Sequence, residues 1–285
     1  MKSVRICVAA ITAGVVCIAA MIGILSAAIY AENESGNSFI GLMYHQVLKD
    51  ESRAGKYIIT PNELESDLAY LSENGYVSVL PSQLVKIREQ GGRLPEKTVV
   101  ITFDDGYETG LYYVLPLLKK YGMKAVINVV GSYTDEYSRI NEEGKHLSYA
   151  YLTWNEIKTL SDSGYVEIGN HTYDMHSNNG DRNGCARKEN ESDEQYRTVL
   201  YEDVARLSEK LQQVTGKRPV AFAYPFGSLS EGSAEIIGSA GISVFMTCCE
   251  QPCSMNRNGR IVINRYNRES GRTAQQICEE FNNAF

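Results

Sequence analysis

The sequence predicts an α/β protein in which seven or so short strands alternate with helices and close into a barrel, with a doubly wound open sheet as the alternative. Three observations carry that prediction. Short apolar runs recur, each followed by an amphipathic segment, as in a parallel sheet with crossover helices. Polar residues gather just after the ends of the runs, where the active site of such a barrel lies. About 250 residues remain once the N-terminus is set aside, and no Pro/Gly/Ser-rich linker or internal repeat divides them.

Phe39 to Tyr44 reads as the first strand. Thr60-Pro61 opens a helix, with Thr60 as cap, Pro61 in the first turn and Glu63 completing a capping box; Leu64, Leu68 and Leu71 share one face, and Asn74-Gly75 closes it. Val77 to Leu80 is a short strand, followed by a helix from Pro81 to Glu89. Thr98 to Phe103 is the clearest buried strand, and a helix from Leu111 to Tyr121 stops at Gly122. Ala125 to Val130 is the next strand. Thr153 caps a helix through Leu160, and Val166 to Ile168 is another strand. Ser177 to Glu194 is polar and without periodicity, a loop expected on the active-site face. A helix from about Gln195 to Val214, strands at Val220–Ala223, Ser243–Thr247 and Ile261–Asn264, and a helix from Thr273 to Asn282 complete the chain.

The N-terminus is set aside because Lys2 and Arg5 precede an uncharged run from Ile6 to Ala31, longer than the ~20 residues that cross a hydrocarbon core. The basic residues keep that end cytoplasmic and place the rest outside. Residues 1–31 therefore read as a transmembrane or signal-anchor helix holding residues 32–285 at the outer face of the cell membrane. The alternative is secretion after cleavage at Ala31-Glu32. The net charge is -7, and without Lys2 and Arg5 the exported part stands at 26 minus 35, or -9. That balance argues against a nucleic-acid partner. Of seven cysteines, Cys7 and Cys17 lie in the apolar run, and the odd five that remain make no disulfide framework.

Four places can carry chemistry. Thr102-Phe103-Asp104-Asp105-Gly106 ends a β-branched run abruptly in two carboxylates, which form either a solvated turn or a site in which one Asp binds a metal and its neighbour faces water. His171 follows the strand at Val166–Ile168, and His176 lies five residues on. Thr172-Tyr173-Asp174 can supply the turn that brings the two imidazoles together on a zinc-like metal; a pair of hydrogen-bonded surface histidines is the alternative. Phe222-Ala223-Tyr224-Pro225-Phe226-Gly227 is a strand and turn, or else a sugar-groove wall of Tyr224, Pro225 and Phe226 whose backbone N–H, that of Phe226, faces an oxyanion. Tyr44-His45 also stands at a strand end.

From Phe39 to Arg265 this arrangement resembles the polysaccharide deacetylase (NodB-homology) family, and within it the branch of poly-N-acetylglucosamine deacetylases. Thr102 to Gly106, His171-Thr172 with His176, Met43-Tyr44-His45, Ala125 to Gly131 and Phe222 to Gly227 carry the resemblance. It implies a distorted (β/α)₇ barrel with Asp104 as general base and one divalent metal held by Asp105, His171 and His176. Many members have an arginine where this chain has Ala223, and Arg218 is a poor replacement. Many also have a late Leu-x-His as general acid, whereas no histidine follows His176; the resemblance gives that role to His45.

The expected reaction is hydrolysis of N-acetyl groups on an N-acetylglucosamine-containing polysaccharide of the cell wall or an exopolysaccharide, releasing acetate. The metal is expected to be zinc, with cobalt, nickel, iron or manganese accepted by the same donors. Two alternatives stand beside it: an inactive carbohydrate-binding protein on the same fold, motivated by Ala223 and the missing late histidine, and a metal-dependent hydrolase of another acyl substrate.

Overall fold

The structure, a computed structural model, describes residues 37–140, 146–178, 180, 182–255 and 259–283. Residues 1–31, with the anchor or signal role expected of them, lie outside that set. No helix among the described residues is long and apolar enough to cross a membrane.

In chain order the elements are β1 (Ser38–Tyr44), β2 (Gln46–Val47), β3 (Ile58–Ile59), α1 (Pro61–Glu73), β4 (Val77–Ser78), α2 (Pro81–Glu89) and β5 (Thr98–Phe103). A π-helical turn at Gly110–Val114 runs into α3 (Leu115–Tyr121), followed by β6 (Ala125–Val129), α4 (Gly131–Tyr137), α5 (Trp154–Asp162), β7 (Val166–Asn170) and α6 (Asp193–Thr215). The last part holds β8 (Ala221–Ala223), α7 (Ser233–Ser239), β9 (Val244–Met246), β10 (Cys253–Ser254), β11 (Ile261–Ile263), β12 (Tyr266–Asn267) and α8 (Ala274–Asn282). Helices α1, α5, α6 and α8 each begin with a complete capping box, on Thr60, Thr153, Ser192 and Thr273. Those hydroxyls and their Glu or Gln partners satisfy orphan N–H groups of the first turn, which is why these helices start where they do.

The main sheet runs β10-β1-β5-β6-β7-β8-β9-β11, parallel at every step from β1 to β11. The free edge of β1 is met by the last part of the same path. β10 pairs with its start and β12 with its end. Between them a Cβ on Gly41 would lie 2.3 Å from the Asn264 carbonyl oxygen. The chain from β10 through β11 to β12 thus brings the sheet round into a barrel-like form, the fold class expected.

All six residues of β5 are buried, because both faces are covered. Val99, Ile101 and Phe103 join the cluster under the helices, whereas Val100 packs with Phe39, Val126, Ala221, Ala223, Val244, Met246, Ile261 and Ile263 inside the barrel. Side chains alternate between faces along a strand. Continuing this parity past the strand ends carries residues 45, 104, 171, 248 and 265 to the mouth of the barrel.

Candidate active site and metal centre

Asp104, Asp105, His45, His171, His176 and Phe226 line one cavity of about 530 Å³ together with Met43, Tyr57, Tyr107 and Cys248. It opens where β1, β5, β7 and β9 end, as expected for a barrel of this kind.

Asp105 Oδ1 lies 3.0 Å from His176 Nε2 and 3.4 Å from His171 Nε2, and one donor atom from each residue falls within 4.8 Å of the others. The backbone that aims these groups is strained. Asp105, Thr172 and Phe226 have φ of 71°, 72° and 59°, and they are the non-glycine residues with positive φ among those described. Such conformations persist only where surrounding contacts enforce them, and they cluster at functional sites.

The enforcing contacts are visible. Asp104 N–H donates to the Tyr44 carbonyl, and His171 N–H to the Val129 carbonyl. The turn at Thr172-Tyr173 is held on one side by Gly131 and Ser132 N–H groups at the start of α4. On the other side Asn170 Oδ1 accepts from Thr172 N–H, and Asp203 on α6 accepts from the N–H groups of Tyr173 and Asp174. That turn brings the two imidazoles together.

The His171 ring places Nδ1 2.8 Å from the Ala223 carbonyl. A carbonyl only accepts, so Nδ1 carries the hydrogen, and Nε2 is the ring atom left on the side of Asp105 to ligate a metal. His176 is braced by Tyr133, whose hydroxyl donates to the His176 carbonyl and lies 3.4 Å from its Nδ1. One carboxylate and two imidazoles whose Nε2 atoms face it suit a zinc-like ion with open positions.

Asp104 has different surroundings. Its Oδ1 accepts from Arg265 Nη1 at 2.7 Å and from Asn128 Nδ2 at 2.8 Å. Burial works to raise its pKa, but the Arg265 guanidinium and neighbouring His171 outweigh it and bring the group down to about 2. Asp105 is held well below the usual carboxylate range: burial opposes ionisation, and contacts with His171 and His176 more than compensate. His45 packs edge-on against Tyr57, its Nδ1 buried without a hydrogen bond from the described residues. Burial lowers its pKa, against the pull of Asp105 and Asp104.

One expectation needs correction. Tyr224 does not line the groove: its parity is that of Phe222, facing α6 and α7, and its hydroxyl meets Ser233 Oγ at 3.2 Å in a buried contact. Pro225 is buried beside it, so of the three wall residues it is Phe226 that meets the cavity, 4.7 Å from the His176 ring. Arg218 bonds the Ala240 carbonyl and, as expected, does not stand in for an arginine at position 223; the arginine beside Asp104 is Arg265. Arg265 is fully buried, and it also donates to Thr102 Oγ1 and the Thr247 carbonyl. Sequence reading missed it, although the parity Ile261, Ile263, Arg265 points it into the barrel. Among the described residues all five cysteines are free.

Residues 91–245 match the model of the family described as Polysaccharide deacetylase. The poly-beta-1,6-N-acetyl-D-glucosamine N-deacetylase of Escherichia coli K12 is 28% identical over 231 residues, which are 74% of this chain and 34% of that protein. This chain therefore spans about a third of that relative's length. The protein of the same description from Staphylococcus aureus MRSA252 is 23% identical over 234 residues, 78% of this chain and 76% of that one. Among solved structures, a de-N-acetylase from Aggregatibacter actinomycetemcomitans superposes with a TM-score of 0.73 at 26% identity, covering 85% of this chain and 99% of that one. IcaB from Ammonifex degensii gives 0.68 at 26%, covering 86% and 97%.

Proposed function

The chain belongs to the polysaccharide deacetylase family, and from that premise we propose that it is a metal-dependent hydrolase that removes N-acetyl groups from an N-acetylglucosamine-containing polysaccharide, releasing acetate. The observation that carries the proposal is the convergence of Asp105, His171 and His176 on one point, with Asp104 and His45 in the same cavity. Relatives described as poly-N-acetylglucosamine deacetylases favour that polymer class.

A divalent ion held by Asp105, His171 and His176, zinc by preference, would polarise the acetamide carbonyl and acidify water. The chain's own residues do the rest. Asp104 accepts the proton of the attacking water, and His45 hands one to the departing amine nitrogen. The Phe226 backbone N–H is the donor for the developing oxyanion, and the Phe226 ring forms a wall against the sugar. Ala223 had motivated a decayed-enzyme reading; the ion pair of Arg265 with Asp104 takes that motive away.

In this reading residues 32–285 form the catalytic domain and residues 1–31 tether it outside the cell membrane. The test is acetate release by the detergent-solubilised full chain from N-acetylglucosamine oligomers and from peptidoglycan, with chelator and with added Zn²⁺ or Co²⁺. Release abolished by chelator and restored by metal supports the proposal. Absence of release from a folded, metal-loaded sample refutes it.

A further inference from the structure

Asn128 stands in the middle of β6 among apolar residues and is fully buried. Its Nδ2 donates to Asp104 Oδ1 at 2.8 Å and lies 3.4 Å from Met246 Sδ. Its Oδ1 is sealed from solvent and has no hydrogen-bond partner among the described residues. A buried acceptor left in that condition carries its full desolvation cost, so an apolar residue would suit the strand better. The neighbouring strand nonetheless makes room for it, since a Cβ on Gly169 would lie 2.0 Å from that oxygen. The flipped amide would turn Oδ1 against the Asp104 carboxylate, so the network determines its orientation. What this arrangement yields is one N–H aimed at Asp104.

That N–H shares Asp104 Oδ1 with Arg265, while Asp104 Oδ2 takes no hydrogen bond from the described residues and Asp104 lines the cavity. We propose that Asn128 is a positioning residue: together with Arg265 it saturates Oδ1, fixes the rotation of the carboxylate and leaves Oδ2 to receive the proton of the attacking water. The inference rests on Asp104 being the base. In the step, a water O–H bond breaks as the Oδ2–H bond forms, the freed electron pair of the water oxygen bonds to the acetamide carbon, and the carbonyl π pair moves onto the carbonyl oxygen as the oxyanion. Asn128 exchanges no proton.

The test uses Asn128→Leu and Asn128→Ala in the full, zinc-loaded chain, with kcat, KM, metal content and melting temperature measured on N-acetylglucosamine oligomers. The expected result is a kcat at least tenfold lower, with KM and metal content unchanged and the Leu variant melting no lower than wild type. A merely structural asparagine would instead lower the melting temperature and leave kcat of the folded fraction intact. A kcat within twofold of wild type in either folded variant overturns the inference, as does a loss of kcat matched by loss of metal. Asp104→Asn runs beside them: a kcat within tenfold of wild type in that variant would refute Asp104 as base, and Asn128's role with it. No acetate release by the wild type would refute the function itself.

Discussion

Asp104 and Asp105 are neighbours in sequence with different surroundings. Asp105 Oδ1 meets the two imidazoles, and Asp104 Oδ1 meets Arg265 and Asn128. Replacing Asp104 by Asn should therefore lower kcat by about 10²–10⁴, the usual worth of a positioned proton acceptor, while bound metal stays at the wild-type level. Metal analysis of the purified variant beside its turnover rate checks both halves. Arg265 is the opposite kind of residue, fully buried and paired. Arg265→Met leaves a buried carboxylate without its cation and should cost on the order of 3–5 kcal/mol of stability. The double variant Arg265→Met/Asp104→Asn should recover part of that loss, as urea denaturation of the four proteins of the cycle will show. Asp104, Asp105, His171 and His176 were legible because carboxylates and imidazoles stand out after apolar strands. Arg265 was not, because its partner lies 161 residues away and only strand parity links them.

The element that matters most to the site is the turn between His171 and His176, braced from α6 by Asp203. Burial raises the Asp203 pKa from 3.8 to about 6, despite two backbone N–H donors that favour the carboxylate. Between those values the folded state holds a proton that the unfolded state has released, so stability falls as pH rises from about 4 to 6. Asp203→Asn removes that dependence. Its deficit relative to wild type should widen by on the order of 2–3 kcal/mol on going from pH 7 to pH 4. Chemical denaturation at the two pH values measures the change, and a deficit that narrows on acidification would refute the assignment. The helices were legible to the extent that their ends carry chemistry: Thr60 with Glu63, and the cap Thr153, stand in the sequence as they stand in the fold. Helices α4 and α7 escaped notice. Each is seven residues long, and neither has a side-chain cap hydrogen bond to announce its start. The two-residue strands β10 and β12 escaped too, because their existence depends on the distant edge of β1 rather than on a local pattern.

At the scale of the whole molecule, the site depends on the seam where the sheet returns to β1. On one side of that seam β1 delivers His45; on the other the chain after β11 delivers Arg265 to Asp104. Gly41 is the contact point, since a Cβ there would stand 2.3 Å from the Asn264 carbonyl oxygen and 2.8 Å from Ile263 Cγ2. Backbone cannot yield as a flexible side chain does, so Gly41→Ala must push β1 and the 263–265 segment apart. Overpacking of this kind costs about 1–3 kcal/mol in a core, and a clash with backbone belongs at the upper end. The displaced segments carry groups of the proposed chemistry, whereas the proposed metal ligands sit on the loops after β5 and β7. Gly41→Ala should therefore lower both melting temperature and kcat while its metal content per folded chain stays near wild type. Melting curves, turnover and metal analysis of that variant separate the seam from the metal centre. If metal were lost in step with activity, barrel closure and ligand geometry would be one cooperative unit rather than two.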